Sequence, residues 1–396
     1  MLMLNTIYSI LSIGDWICYI LLVPCVFYLL FYAIASKFYH PKRYPETIGR
    51  KHFAVLFPAY RADNVIVSSV HSFLQQDYPT KCYKIIVIAD QMQEATCKKL
   101  RDMGAQVLVA TYQNSSKAQA LTLAMHSIDV PSFDMVVIMD ADNTTTPHLL
   151  HELNKASAVG VRAIQAHRTA KNLNTDIALL DAASEEINNG IFRKGHVAIG
   201  FSCALIGSGM AFEADWFARH VEKLQTAGED KELETLLQRE QIYVDYLSEI
   251  DIYDEKTQKK EIIQQQRKRW IATQFGSLRA TLPDLPKAVF SGNFSYADKI
   301  LQWMLPPRII QLAAVIGLTI LATILAPFMG GLPGLALKWW ILALAQISAM
   351  LLPLPASLAN RRMLKAVLHI PVLSVRMIGN LFHLKGANKK FIHTEH

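Results

Sequence analysis

Three apolar stretches near the ends of the chain constrain everything else it can fold into. Residues 17–35 carry no charge and are dominated by Leu, Ile, Val, Phe and Tyr. A helix crossing a hydrocarbon core of about 30 Å needs about 20 such residues. A cleaved signal peptide looks similar, but no basic residue precedes this run and no small-residue cleavage site precedes the basic 37–43 stretch. The run therefore reads as a retained anchor. Residues 309–329 and 339–358 are two more apolar stretches, with Pro327, Gly330-Gly331 and Pro333 marking a short turn between them. They read as a transmembrane hairpin. Charged residues make up only 18% of the chain, below the roughly 25% of an ordinary soluble domain, and the deficit lies in these ends. Disorder, collagen-like repeats and a disulfide scaffold are excluded by the same composition.

Basic flanks set the orientation. Lys37, Lys42, Arg43, Arg50 and Lys51 follow the first run. Lys299 and Arg308 precede the second, and Arg361, Arg362 and Lys365 follow the third. The middle of the chain and its C-terminus are thus expected in the cytoplasm; Lys338 is a lone cation on the outer side. Residues 363–384 are interrupted by His369, Pro371 and Arg376 and read as an interfacial helix rather than a fourth span. The expected organisation is an anchor and basic linker at 1–50, a cytoplasmic domain at 51–285, an amphipathic helix and transmembrane hairpin at 286–360, and an interfacial helix and tail at 361–396. A net charge of +7 suits a domain lying against anionic lipid. No basic stripe carries interleaved aromatics, so nucleic acid is not an expected partner. Cys18, Cys25, Cys82, Cys97 and Cys203 form no CxxC pair and are expected to be reduced and inert.

The middle alternates strand and helix. Short apolar runs at 53–57, 84–89, 106–110 and 135–139 read as strands. Helical spacing falls at 64–76, where Asn64 is a candidate cap, at 94–103, and from Ser116 onward. This is the pattern of an α/β, doubly wound sheet, whose ligands bind beyond the carboxyl ends of the strands. The polar residues at those ends are Tyr60, Arg61, Asp90, Gln91, Asp140 and Asp142.

Several of these residues suggest chemistry. Asp140 and Asp142, on a turn after an apolar strand, can approach one hard divalent cation, which in turn can hold a diphosphate. The same turn could simply cap a helix beginning near Pro147, and Asp140 to Thr144 also fits DxDxT, the nucleophile loop of aspartate-based phosphatases. Asp90 can accept hydrogen bonds from a base or ribose, or be a solvated strand end. Gly228-Glu229-Asp230 precedes a helical stretch at 231–241, placing a general base or a cap there. Residues 264–270 (QQQRKRW) combine three cations with a Trp; guanidinium suits phosphate and indole suits a sugar face, or the stretch anchors the domain to lipid.

In combination and in order, Asp90, Asp140 with Asp142, Asp230, and Gln266-Arg267-Lys268-Arg269-Trp270 resemble the D, D, D, Q(Q/R)xRW pattern of family 2 glycosyltransferases. The branch is that of the membrane-bound cellulose, hyaluronan and poly-N-acetylglucosamine synthases. Lys117-Ala118-Gln119-Ala120-Leu121 is similar to the family's KxxAL, and residues 207–212 (GSGMAF) to its acceptor-side loop. The phosphatase reading leaves Asp230 and the 266–270 motif unexplained and gives way. The resemblance implies a GT-A-type fold, a nucleotide-diphosphate sugar donor (a UDP-sugar first among candidates), Mg²⁺ or Mn²⁺, and inversion at the anomeric carbon. It further implies that Asp90 binds the nucleoside, that Lys117 lies near the uridine or diphosphate, and that Asp140 contacts the nucleotide. Asp142 would coordinate the metal with Asp140 as partner, and Asp230 would deprotonate the acceptor. Gln266, Arg269 and Trp270 would hold the diphosphate and acceptor sugar.

The implied product is a growing β-linked polysaccharide, with a single addition to a lipid-linked acceptor as the alternative, at the cytoplasmic face of a bacterial inner membrane. Three spans hardly enclose a sugar-wide pore, so a polymer would call for a homo-oligomer or a partner export subunit. Phe391, Ile392, His393 and Thr394 are similar to the FxVT-type gating stretch of some synthases, without the basic residue expected after the threonine. A non-catalytic scaffold that binds nucleotide sugar is the alternative from another class.

Overall fold

The computed structural model of the chain describes residues 2–113, 115–256, 260–327 and 333–367, together with Gly379. The Gly330-Gly331 turn, the 391–394 stretch and nearly all of the expected interfacial helix beyond residue 367 lie outside the described residues. Helix α1 (Leu2–Ala35) contains the first apolar run and continues through Pro24. The continuous apolar runs then become β1 (Phe53–Tyr60), β2 (Tyr83–Asp90), β3 (Gln106–Ala110) and β4 (Met135–Ile138), all mutually parallel. Between them lie α2 (Ile66–Phe73), α3 (Glu94–Asp102) and α4 (Lys117–His126). Ser116 caps α4 by accepting the Gln119 N–H at 3.2 Å. The expected Asn64 cap of α2 is corrected: Val65 holds the N-cap position, with no side-chain bond.

Beyond β4 come β5 (Thr144–Thr145), α5 (Leu149–Ala158), β6 (Ala163–Ala170) and α6 (Asp176–Asn188). A wider helical turn at Asn189–Gly195 leads into the short α7 (His196–Ala198). Then follow β7 (Met210–Glu213), α8 (Ala214–Val221), α9 (Glu229–Arg239) and β8 (Val244–Asp254). The eight strands form one sheet in the order β3-β2-β1-β4-β7-β6-β8-β5. It is mixed, not wholly parallel: β7 runs antiparallel to both β4 and β6. The GSGMAF segment, expected as a loop, is therefore half strand, with Met210, Ala211 and Phe212 in the sheet and Gly207 and Gly209 turning at positive φ. Alternate residues feed two cores, Leu56, Ile86 and Phe212 on one face and Phe57, Val87 and Ala211 on the other.

The chain finishes with α10 (Lys260–Thr281), α11 (Leu285–Phe290), α12 (Phe294–Met304), α13 (Arg308–Leu325), α14 (Pro333–Leu351) and α15 (Arg361–Val367). Among the described residues, two segments, Ser9–Phe38 and Arg308–Leu325, are long and apolar enough to cross a membrane; Leu335–Leu351 is apolar but shorter. The third apolar run is thus shifted from 339–358: α14 begins before Lys338 and stops ahead of Pro353 and Pro355, which cannot continue a helix. Asp15 of α1 accepts from the Lys338 ammonium and from Trp339 Nε1, the latter at 2.7 Å. Lys338, expected as a lone cation, is therefore paired with Asp15 between α1 and α14.

Helix α1 is tied to the sheet domain at one buried polar knot. Tyr32 donates to Asp298 Oδ1 at 2.6 Å, His196 Nε2 lies 2.9 Å from Asp298 Oδ2, and the Tyr32 and His196 rings stack at 3.8 Å. Close approach is possible because residue 195 is Gly: a Cβ there would sit 2.3 Å from the Tyr32 carbonyl oxygen. Asp298 is only 8% exposed, so removing its carboxylate strands buried donors. Asp298→Ala is expected to cost about 3–5 kcal/mol, read as a lowered Tm of the detergent-purified chain. An unchanged Tm would show that the knot does not hold the two parts together.

Candidate active site

The carboxyl ends of β1, β2 and β4 deliver Tyr60, Asp90, Asp140 and Asp142 to the wall of one cavity of about 1300 Å³. Lys117 reaches it from the start of α4, Glu229 and Asp230 from the start of α9, and Gln266, Arg267, Arg269 and Trp270 from one face of α10. Asp90, Lys117, Asp140, Asp142, Asp230, Gln266, Arg269 and Trp270 therefore line the same space. Arg61 and Gln91 do not; at positive φ, they pair with each other beside it, Arg61 Nε donating to Gln91 Oε1 at 2.9 Å.

The turn after β4 is held from beneath. The Asp140 N–H donates to Ser208 Oγ at 2.9 Å, and Ser208 donates to Asn143 Oδ1. Asn143 Nδ2 donates to Asp142 Oδ1 at 3.0 Å and to Asp254 Oδ1 at 3.1 Å. Both Ser208 and Asn143 are fully buried, so the two aspartates are fixed in direction. Asp140 Oδ1 accepts from Lys117 Nζ at 2.5 Å, and the same ammonium donates to the Gly207 carbonyl at 2.6 Å and lies 3.4 Å from Glu229 Oε1. Burial alone would lower the Lys117 pKa, but Asp140, Glu229 and Asp230 outweigh it and hold the amine protonated.

Asp142 is in the opposite situation. Burial, then the nearby charges of Asp254 and Asp140, push its carboxyl up to about 8. Asp254 goes the other way: burial is overcome by Lys256, whose Nζ is 2.7 Å away, and by Arg168, which hold it well below the usual carboxylate range. Carboxylates crowded this way suit a divalent cation. Among the described residues no three His, Cys, Asp or Glu side chains complete a metal site by themselves.

Asp90 is 4% exposed, and its Oδ1 has no hydrogen-bond partner. A buried carboxylate oxygen on a cavity wall is a ready acceptor for a ligand hydroxyl or amide. The helical stretch expected at 231–241 begins two residues earlier, so Glu229 and Asp230 lie inside the first turn of α9 rather than before it, where the helix dipole favours acids. Asp230 Oδ1 accepts its neighbour's N–H, that of Lys231, at 2.9 Å. Gly228 lets α9 abut α10: a Cβ there would meet Thr273 Cγ2 at 2.0 Å. On α10, Arg269 Nε is buried without a partner, and Trp270 is 43% exposed.

Arg168, Glu185, Asp254 and Lys256 were not nominated from sequence, yet they line the same cavity. Glu185 lies 2.8 Å from Arg168, 3.4 Å from Arg193 and 3.6 Å from Lys256. Asp254 ends a strand with near-period-two alternation, which is the one signal that could have found it.

Residues 50–273 match the sequence family described as Glycosyltransferase like family 2. Among solved structures, the mannosyltransferase PcManGT from Pyrobaculum calidifontis, in complex with GDP-Man and Mn²⁺, superposes with a TM-score of 0.55 at 16% identity, covering 84% of this chain and 96% of that one. Glucosyl-3-phosphoglycerate synthase from Mycobacterium tuberculosis, in complex with Mn²⁺, UDP and phosphoglyceric acid, is less similar, with a TM-score of 0.42 at 16% identity over 60% of this chain and 84% of that one. A comparison with curated proteins gives no match. The fold is a GT-A-like α/β arrangement around a mixed sheet, and with more than half its length matched the chain belongs to the glycosyltransferase-like family 2.

Proposed function

We propose that this protein is an inverting, metal-dependent glycosyltransferase of the membrane-bound synthase-like branch, moving a sugar from a nucleotide-diphosphate donor, a UDP-sugar first, to an acceptor hydroxyl at the cytoplasmic face of a bacterial inner membrane. The observation that carries the reading is the convergence of Asp90, Lys117, Asp140, Asp142, Asp230, Gln266, Arg269 and Trp270 on one cavity. Asp90 accepts from the nucleoside. Lys117, held protonated, lies beside Asp140 and faces the diphosphate. Asp140 and Asp142 hold Mg²⁺ or Mn²⁺; the structural neighbour's complex with Mn²⁺ agrees with that choice. A divalent cation there neutralises charge on the departing diphosphate.

Asp230 takes the acceptor proton as the acceptor oxygen bonds to the anomeric carbon and the carbon–diphosphate bond breaks. Gln266 and Arg269 hold the diphosphate, and the exposed Trp270 ring suits the face of the acceptor sugar. Of the two acceptors, the lipid-linked one is favoured because the cavity wall continues onto α13, α14 and α15 through Leu312, Ile347, Leu351 and Leu364. The Gln266 to Trp270 motif favours the other, a growing β-linked polysaccharide, which would need a second copy or an export subunit for passage.

Membranes containing the protein, incubated with a panel of labelled UDP- and GDP-sugars and Mn²⁺ or Mg²⁺, are expected to turn over one donor and place the label in short, solvent-extractable products. Label in long, solvent-insoluble chains would select the polysaccharide instead. Turnover of no donor would sink the enzymatic reading and leave the scaffold.

A further inference from the structure

The cavity is larger than one donor needs. A typical small-molecule site occupies roughly 300–1,000 Å³, against about 1300 Å³ here. The surplus lies on the membrane side, where its wall is Leu312 of α13, Ile347 and Leu351 of α14, Leu354, and Leu364 and Val367 of α15. These are not core positions: Leu351 is 60% exposed and Leu364 is 71% exposed. An apolar wall continuous with helices apolar enough to enter a bilayer is suited to a hydrocarbon chain.

At the junction of this limb with the polar half stands Arg308, the first residue of α13. Its Nη2 donates to the Ser184 carbonyl at 3.1 Å and to Ser184 Oγ at 3.2 Å, and its guanidinium carbon lies 5.9 Å from the Phe192 ring centroid. Its Nη1 is buried and has no hydrogen-bond partner. Among the described residues Arg308 makes no ion pair, and the nearby Glu185 is already engaged by Arg168, Arg193 and Lys256. A buried guanidinium edge without an acceptor is costly unless an anion arrives to take it.

We infer that the acceptor is a phosphate-bearing lipid, its chain in the apolar limb and its phosphate on Arg308, presenting a headgroup sugar hydroxyl toward Asp230. This rests on the glycosyltransferase reading above and narrows its acceptor. The phosphate is an address and not the nucleophile, because a nucleophile that needs Asp230 as base must carry a proton.

The test uses the full chain in detergent, the donor that the panel identifies, and three acceptors carrying the same sugar. These are N-acetylglucosamine on farnesyl diphosphate, N-acetylglucosamine on farnesol, and N-acetylglucosamine 1-phosphate. The expected result is a kcat/KM at least about tenfold higher for the farnesyl diphosphate acceptor than for either partial analogue. Arg308→Gln is expected to raise KM for that acceptor about tenfold and to erase its advantage over the farnesol acceptor, while Arg308→Lys restores part of it. Equal use of the farnesol acceptor would overturn the phosphate contact, and equal use of the soluble phosphate would overturn the lipid limb. Donor turnover with label on none of the three also counts against the inference while leaving glycosyl transfer standing. An Arg308→Gln protein that loses kcat equally on all acceptors would make the residue structural. If that variant fails to fold, the wild-type comparison of acceptors still decides.

Discussion

Asp230→Asn is expected to lower sugar transfer by about 10²–10⁴-fold with donor binding retained, measured by label transfer and by titration of the nucleotide sugar. The substitution keeps shape and the capacity to accept the Lys231 N–H at 2.9 Å, so the start of α9 is preserved. What it removes is a carboxylate facing the cavity. The neighbouring Glu229 is a poor substitute. It is 7% exposed and 3.4 Å from Lys117. Burial raises its pKa, Lys117 opposes that, and Asp230 adds to the rise. Transfer at the wild-type rate in Asp230→Asn would place the base elsewhere or favour the scaffold alternative, which predicts no loss at this position.

How much was legible depends on how local each feature is. The runs that became β1 to β4 are apolar on both faces, as a sheet covered by helices on both sides requires, so their pattern announces them. β5 has only two residues, too short for a period to register, and β7 lies within the GSGMAF segment that the resemblance made a loop. β8 carries Asp245, which is 1% exposed and paired to Lys42 at 3.0 Å across the fold. A buried charge of that kind interrupts the apolar pattern at the start of the strand, leaving only the alternation nearer its end. Within the site, strand ends marked Asp90, Asp140 and Asp142, the start of a helical stretch marked Asp230, and the run of cations with a Trp marked the α10 face, whereas Lys117 came only from the family resemblance. The ties between them did not show: the Lys117–Asp140 pair and the Asp254–Lys256–Glu185–Arg168 network join residues far apart in sequence or without a spacing rule. The same holds for Lys338, expected as a lone cation, whose partner Asp15 lies 323 residues away in sequence.

Removing divalent cations with EDTA is expected to abolish transfer, and Mn²⁺ to restore it, because the Asp142 carboxylate is unfavourable without a cation. Burial and the charges of Asp254 and Asp140 raise its pKa to about 8. The sign is opposite to that of an ordinary ion-paired aspartate. Between its unfolded value near 4 and about 8, the unfolded chain is deprotonated here while the metal-free fold keeps the proton. Stability of the metal-free protein therefore falls as pH rises through that window. A cation must expel this proton to bind, so Mn²⁺ affinity is expected to climb toward pH 8 and level off above it. Calorimetry in two buffers of different ionisation enthalpy would read about one proton released per ion at pH 7. Asp142→Asn is expected to weaken Mn²⁺ binding by more than about tenfold and to flatten its pH dependence. Asp140 alone cannot compensate, since one of its oxygens is committed to Lys117 at 2.5 Å. Unchanged Mn²⁺ affinity in Asp142→Asn would remove the metal from this turn and leave Lys117 and Arg269 as the cations facing the diphosphate.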